Sequence, residues 1–374
     1  MSEPFSRADH AYMARAIGLA KKGRYTTDPN PRVGCVLVRD GAVVGEGWHR
    51  RAGEPHAERL ALAEAGDQAR GATAYVTLEP CCHYGRTPPC SVGLIEAGVE
   101  RVVAAMVDPN PLVAGEGLAQ LQRAGIKVSS GVLEADARRL NPGFIKRMQG
   151  RGPYVRLKLA MSLDGRTAMA NGESQWITGE AARRDVQRLR AGSSAVLTGI
   201  GSVLADDPSM NVRLDAADLG LTEGLEVRQP LRVVMDSDVR IPPDARLLGL
   251  PGNTLVYVGE GADSSALREA GAQVSVVDRD PNGLRWEAVM RDLAGREINE
   301  VLLECGATLA GTALKAGVVD ELIVYLAPHL LGDEARGLVR LPGIEHLAER
   351  VELELEDCRA VDGDLRLRYR LLRS

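Results

Sequence analysis

Aromatic side chains are scarce in this sequence: two Phe, three Trp and eight Tyr among 374 residues, 3% of the chain. Platforms for single-stranded nucleic acid rely on aromatic faces for base stacking, so this shortage argues against such a partner. Positive charge is not in surplus either. The formal net charge is −5, and no basic stripe marks a surface for duplex phosphates. A run of ~20 apolar residues, the length of a membrane-spanning helix, is missing. The first stretch of sequence, through Ala16, lacks the apolar segment of a secretory signal. These absences predict a cytoplasmic chain with no nucleic-acid partner and no membrane association.

What is present suits a soluble multidomain protein. The chain is 45% hydrophobic and 26% charged, and at ~150 residues per domain its length allows two to three domains. With so few aromatics, the cores must be built from Ala, Val, Leu and Ile. Residues 1–150 carry a net charge of +3 and the remainder −8, a change of sign that hints at separate units.

Residues 8–22 have helical spacing, and the β-rich runs 33–38 and 43–48 flank Arg39-Asp40-Gly41 as a hairpin. A helix over about 56–65, strands over 72–78, 101–107 and 126–129, and a helix over 114–124 continue the series. A parallel or mixed sheet flanked by helices is the natural outcome. An amphipathic helical stretch from about Glu134 runs into Gln149-Gly150-Arg151-Gly152-Pro153, a domain boundary by composition. Beyond it, strands over 154–160, 195–199, 231–236, 254–258 and 301–304 alternate with helices over 179–191, 264–270, 286–293 and 308–316. Two α/β domains are expected, 1–149 and 150–374.

The six cysteines are Cys35, Cys81, Cys82, Cys90, Cys305 and Cys358. Three crowd into ten positions, which in a reducing compartment reads as metal ligation before disulfides. Cys35 lies in an apolar strand and reads as core. Pro55-His56-Ala57-Glu58 and Glu79-Pro80-Cys81-Cys82-His83, with Cys90 further on, belong together chemically. One imidazole and two thiolates give Zn2+ three protein ligands and leave the fourth tetrahedral position for water. Such a water ionises near pH ~7, and Glu58 is placed to act as the general acid/base that does not ligate the metal. This is the H-x-E plus P-C-x-x-C pattern of zinc deaminases.

Two features depart from the simplest pattern. Helical positions two apart point ~200° from each other. His56 and Glu58 therefore converge only if His56 sits at the mouth of the helix, with Pro55 opening its first turn. Cys81 and Cys90 are separated by eight residues rather than two, so Cys82 and His83 compete as ligands on spacing alone. Cys81 is favoured because it follows Pro80 at a strand end. A closed structural zinc site, with Glu58 merely solvated, is the bland alternative.

The second half is quieter. No G-x-G-x-x-G follows a first strand, and Gly199-Ile200-Gly201 alone reads as a turn. The segment Glu304 to Gly311 is more informative: a strand ends, and a glycine leads into a helix whose free N–H groups could hold a phosphate. By itself this indicates a nucleotide-binding α/β domain and nothing finer.

Taken together, Asn30-Pro31-Arg32-Val33-Gly34-Cys35, Gly53-Glu54-Pro55-His56-Ala57-Glu58 and the segment 77–90 with its long loop resemble the bifunctional deaminase/reductase family of riboflavin biosynthesis. Asp108-Pro109-Asn110-Pro111 and the segments 157–168, 172–178, 204–208 and 304–311 resemble it too. The resemblance spans nearly the whole chain. It implies a cytidine-deaminase-like αβα domain followed by a dihydrofolate-reductase-like α/β domain. It also implies hydrolysis of the 2-amino group of a diamino-ribosylaminopyrimidinone 5′-phosphate, then reduction of the ribosyl chain to ribityl with NADPH. The partners implied are phosphorylated pyrimidine substrates and further copies of the same chain.

By the same resemblance, His56, Cys81 and Cys90 hold zinc, and Glu58 shuttles protons. Asn30, His49 and Arg86 contact the deaminase substrate. NADPH contacts fall at Ala160, Trp176, Ser202, Asp206 and Ser237, and at Gly306, Ala307, Thr308, Leu309, Ala310, Gly311 and Thr312. Reductase substrate contacts fall at Lys158, Ser174, Arg190, Met210, Arg213 and Glu304. The competing reading is a zinc deaminase of another nucleobase, whose C-terminal half is a non-catalytic nucleotide-binding module. A structural zinc protein that senses nucleotides is a third.

Overall fold

Ser6 starts the first helix. Its hydroxyl accepts from the Asp9 N–H at 3.1 Å while the Asp9 carboxylate accepts from the Ser6 N–H at 2.9 Å, a reciprocal cap that sets α1 at Arg7–Ala20. The computed structural model describes residues 5–83, 89–281 and 283–372. It divides into two units: Met1–Arg151 with Leu221–Glu226, and Gly152–Gly220 with Val227–Ser374. Among the described residues, no helix is long and apolar enough to cross a membrane.

In the first unit α1 is followed by β1 (Gly34–Arg39), β2 (Ala42–Trp48), α2 (Ala57–Ala65), β3 (Thr73–Val76), α3 (Cys90–Glu96), β4 (Arg101–Ala104), α4 (Glu116–Arg123), β5 (Lys127–Ser130), α5 (Glu134–Leu140) and α6 (Pro142–Met148). The strands form one mixed sheet in the order β2-β1-β3-β4-β5. β1 is antiparallel to both β2 and β3, while β3, β4 and β5 run parallel. One face packs Met13, Ile17, Val36, Tyr75 and Phe144. The other packs Ala57, Ala61, Val76, Leu94 and Leu121. Small residues let α2 lie close to the sheet: a Cβ at Gly47 would sit 2.2 Å from the Ala57 carbonyl oxygen. That contact fixes the first turn of α2, where Glu58 lies.

The stretch expected as one helix from Glu134 is two. Pro142 disfavours helical backbone at the residue before it, and Asn141 stands at φ −130°, ψ 46°. Its side chain accepts from the Arg32 N–H at 2.8 Å and donates to the Arg32 carbonyl at 2.9 Å. The break therefore ties this helical pair to the segment just before β1.

The second unit contains β6 (Tyr154–Ser162), β7 (Arg166–Ala168), α7 (Glu180–Ala191), β8 (Ala195–Gly199), α8 (Ile200–Asp206), β9 (Leu231–Met235), α9 (Arg246–Gly249), β10 (Thr254–Val258), α10 (Ser265–Glu269) and β11 (Gln273–Val276). There follow β12 (Arg279–Asp280), β13 (Gly283–Leu284), α11 (Trp286–Gly295), β14 (Glu300–Glu304), α12 (Ala307–Lys315), β15 (Glu321–Ala327), β16 (Arg336–Gly337), β17 (Leu353–Val361) and β18 (Asp364–Leu371). The main sheet runs β11-β10-β9-β8-β14-β6-β15-β18-β17. It is parallel as far as β15 and closes with the antiparallel pair β18 and β17. Gly199 is not a turn: it ends β8 and stands as the N-cap of α8. The β17–β18 hairpin went unassigned in the sequence, although Leu365, Leu367, Tyr369 and Leu371 alternate with Arg366, Arg368 and Arg370 as a strand requires.

Candidate active sites

His56 is the N-cap of α2, with extended backbone at φ −70°, ψ 163°. Pro55 lies before the cap rather than opening the first turn, and the convergence still occurs: His56 leaves the helix axis while Glu58 stays in its first turn. Cys81 follows the end of β3, and Cys90 is the first residue of α3. His56 Nδ1 lies 3.6 Å from Cys81 Sγ and 3.3 Å from Cys90 Sγ. The ligand atoms of all three residues lie within 4.8 Å of one another. One nitrogen and two sulfurs at this spacing suit Zn2+ with one position open. Among the described residues, neither Cys82 nor His83 joins the group.

Glu58 is 3% exposed. Burial, and then the neighbouring Cys81 charge, push its carboxyl up to about 7, the range in which a group both takes and gives a proton near neutrality. This environment disfavours the solvated-residue reading.

His49 is buried, which lowers its pKa and keeps the ring neutral. Its Nδ1 donates to the Pro55 carbonyl at 3.2 Å, so Nε2 accepts from Asn30 Nδ2 at 3.0 Å. The His49 and His56 rings meet edge to face with centroids 5.3 Å apart. Asn30 is thus oriented by His49, whose ring in turn abuts that of His56. Arg86 lies outside the described residues.

Glu79 precedes Pro80-Cys81 in the sequence, and the structure shows what it does there. Its carboxylate is 3% exposed and accepts from the N–H groups of Asp108 and Gly115 at 3.0 Å and Leu118 at 3.2 Å. The side chain fastens the chain just before Cys81 to the start of α4. Ser91 adds a second tie, donating from its hydroxyl to the Cys81 carbonyl at 3.0 Å. A carboxylate at a strand end beside Pro-Cys was the only signal in the sequence.

In the second unit Glu304 and Lys158 are register partners on β14 and β6. Arg190, near the end of α7, donates Nε to Glu304 Oε1 at 2.6 Å and Nη2 to Oε2 at 2.8 Å. Its fork therefore holds Glu304. Burial lowers the Lys158 ammonium, against the pull of Glu304. Burial opposes ionisation of Glu304, but Arg190, Lys158 and Arg213 together outweigh it and hold the carboxyl low. Met210 is buried, at 2% exposure. Ser174 is half-buried in the loop before α7.

The cofactor candidates divide by exposure. Gly306 is the N-cap of α12, no side chain caps that helix among the described residues, and a Cβ at Gly306 would meet nothing within 4 Å. The first N–H groups of α12 have no acceptor within the helix, and a helix start of this kind can hold an anion such as a phosphate. Ala310 and Gly311 face inward. A Cβ at Gly311 would lie 1.9 Å from the Arg340 carbonyl oxygen. Thr312 accepts from Trp286 Nε1 at 3.1 Å. Ala160 and Ser202 are half-buried and Asp206 is exposed. Trp176 is 68% exposed, with the Arg183 guanidinium 4.6 Å from its ring centroid.

Asp164 is a second residue whose role the sequence hid. Its carboxylate accepts from the Gly332 N–H at 2.8 Å and from the Leu331 N–H. The same strap then donates from Leu338 to Gly165 and from Arg340 to Ala307, which secures the first turn of α12.

Comparison with known proteins agrees with this geometry. The riboflavin biosynthesis protein RibD of Escherichia coli is 54% identical over 360 residues, covering 96% of this chain and 98% of its own. The chain belongs to the RibD family. A RibD protein from Haemophilus influenzae is 51% identical, with 98% of each chain covered. The family model for the RibD C-terminal domain matches residues 153–367, and that for the cytidine and deoxycytidylate deaminase zinc-binding region matches residues 6–106. Form 1 of Acinetobacter baumannii RibD superposes with a TM-score of 0.90 at 47% identity, covering 98% of this chain and 99% of that one. A deaminase/reductase from Thermotoga maritima gives 0.83 at 33%, with the same coverage. RibD proteins are bifunctional deaminase/reductases of riboflavin biosynthesis, so the reading of the C-terminal half as a non-catalytic module is set aside.

Proposed function

We propose that this chain deaminates a diamino-ribosylaminopyrimidinone 5′-phosphate in its first domain and reduces the ribosyl group with NADPH in its second, with the domains meeting near residue 150. The observation that carries the reading is the convergence of His56, Cys81 and Cys90 beside a buried Glu58 in a RibD-family chain. Zinc held by those three residues supplies a water that ionises near neutral pH. Glu58 accepts the proton of the attacking water and returns it to the departing amine. Asn30, oriented by His49, reads the amide edge of the ring, and Arg86 takes the phosphate.

In the second domain NADPH supplies the hydride. The first turn of α12 would hold its pyrophosphate, and Ala160, Trp176, Ser202, Asp206 and Ser237 would contact the rest of the cofactor. Lys158 and Glu304 face the reacting sugar, Arg190 fixes Glu304, and Arg213, Ser174 and Met210 hold the rest of the substrate. The reading also includes cytoplasmic location and a homo-oligomer, the latter measurable by light scattering. The test is to offer the diamino substrate with NADPH and follow ammonia and absorbance together. Ammonia release without NADPH oxidation removes the second half of the reading, and neither signal removes both.

A further inference from the structure

The parallel strands β14, β8, β9 and β10 lie side by side in that order. Their carboxyl ends lead respectively to Gly306 at the uncapped start of α12, to Gly199, to Ser237 with Asp238, and to Gly259. Arg279 stands beside the last two of these. Its Nη1 donates to Asp238 Oδ1 at 2.7 Å, and its Nη2 donates to the Ser237 carbonyl oxygen. A Cβ at Gly259 would lie 1.8 Å from Arg279 Nε, so the bare backbone at Gly259 makes room for the guanidinium. The side chain remains 42% exposed. Asp238 and the Ser237 carbonyl engage one N–H on each Nη, so the guanidinium keeps further donors on a partly exposed side chain.

Neighbouring strands are ~4.8 Å apart, so the start of α12 and Ser237 are separated by two strand spacings, ~10 Å. Protein groups that far apart can contact the pyrophosphate and the adenosine ribose of one dinucleotide laid along this edge, each from hydrogen-bond distance. Ligands of open α/β sheets lie along this carboxyl edge. An acidic residue there receives an unmodified ribose 2′-hydroxyl, whereas an arginine accommodates a 2′-phosphate. Asp238 is already bonded to Arg279, which leaves the guanidinium as the group that meets the ribose.

We propose that Arg279 selects a 2′-phosphorylated nicotinamide dinucleotide over its unphosphorylated counterpart. The inference rests on the reductase reading above and adds to it the residue that discriminates between the two cofactors. A guanidinium offers paired N–H donors to phosphate oxygens; an ammonium keeps the charge and loses the fork.

The test is equilibrium binding of NADP+ and NAD+ to the full chain by titration calorimetry. The unmodified protein is expected to bind NADP+ at least ~10-fold more tightly than NAD+. Arg279→Met should weaken NADP+ binding by ~10- to 100-fold, as expected for loss of charge-assisted hydrogen bonds, and leave NAD+ binding unchanged. Retained NAD+ binding also reports that the variant is folded. Arg279→Lys should fall between the two. NADP+ binding untouched by Arg279→Met, or both dinucleotides weakened together, overturns the proposal. Equal affinities in the unmodified protein overturn it while leaving the reductase reading intact; failure to bind either dinucleotide removes both.

Discussion

Arg190 and Glu304 form a bidentate pair across the second unit, Nε to Oε1 at 2.6 Å and Nη2 to Oε2 at 2.8 Å. Their side chains are only 11% and 16% exposed, so each compensates the other's burial. The pair joins α7 to the carboxyl end of β14 and sets Glu304 against Lys158. Replacing one partner of such a pair leaves an uncompensated charge, at a cost of ~3 kcal/mol. Arg190→Gln is therefore expected to destabilise the second unit by about that amount. Displacing Glu304 should slow NADPH oxidation by ~100-fold. Ammonia release from the diamino substrate should stay near that of the unmodified protein. Parallel assays check this, and equal loss of both activities would contradict the assignment.

Glu58 has a different test. If it carries the proton and does not ligate metal, Glu58→Gln should lower ammonia release by ~10²- to 10⁴-fold while metal analysis still finds one zinc per chain. NADPH oxidation should persist when the deaminated intermediate is supplied directly. Loss of zinc together with activity would instead make Glu58 part of the metal-holding set.

The chemistry of the first site was legible because it depends on residue types that few structural roles demand together. His56, Glu58 and Cys90 stood out by residue type and motif, while spacing alone left Cys81 in competition with Cys82 and His83 and only its place after Pro80 favoured it. Glu79 did not stand out, because its function is to accept three backbone N–H groups from segments about 30 to 40 residues away, and backbone donors have no signature in a sequence. Arg190 shows the same limit from the other side. The resemblance marked it as a substrate contact, and only the fold shows that its fork is turned onto Glu304. The strands and helices were read mainly from period; α5 and α6 were merged because one amphipathic pattern runs across Asn141. The break there comes from a proline and from a pairing with distant Arg32.

The role of Glu79 can be measured separately from catalysis. Glu79→Ala leaves the Asp108, Gly115 and Leu118 N–H groups without their acceptor. Each such loss costs ~1 to 3 kcal/mol if no water enters, so the first unit should lose at least ~2 kcal/mol of stability. Because the carboxylate fastens the chain ahead of Cys81, zinc affinity should fall by ~10- to 100-fold, as when a supporting partner of a metal ligand is removed. Competition with a chelator checks this. Unchanged zinc affinity would limit Glu79 to holding α4.

Asp9 supplies a pH dependence with a definite sign. Burial opposes its ionisation, but hydrogen bonds from Arg101, the Ser6 backbone, Tyr75 and the Ser6 hydroxyl outweigh that and hold its pKa far below 3.8. The Arg101 Nη1 contact is 2.7 Å and the Tyr75 hydroxyl contact 2.9 Å. The unfolded chain therefore binds a proton at Asp9 at higher pH than the folded chain does. The stabilisation is fully present above pH ~4 and is lost progressively as pH falls below it. Asp9→Asn removes the charge these donors bind and should cost ~2 kcal/mol at pH 7. The difference between the two proteins should shrink as pH drops from 5 to 3. Urea midpoints for the transition of the first unit, taken across that range, measure it. A difference that stays constant with pH would mean that Asp9 acts as a neutral helix cap rather than as a charged partner of Arg101.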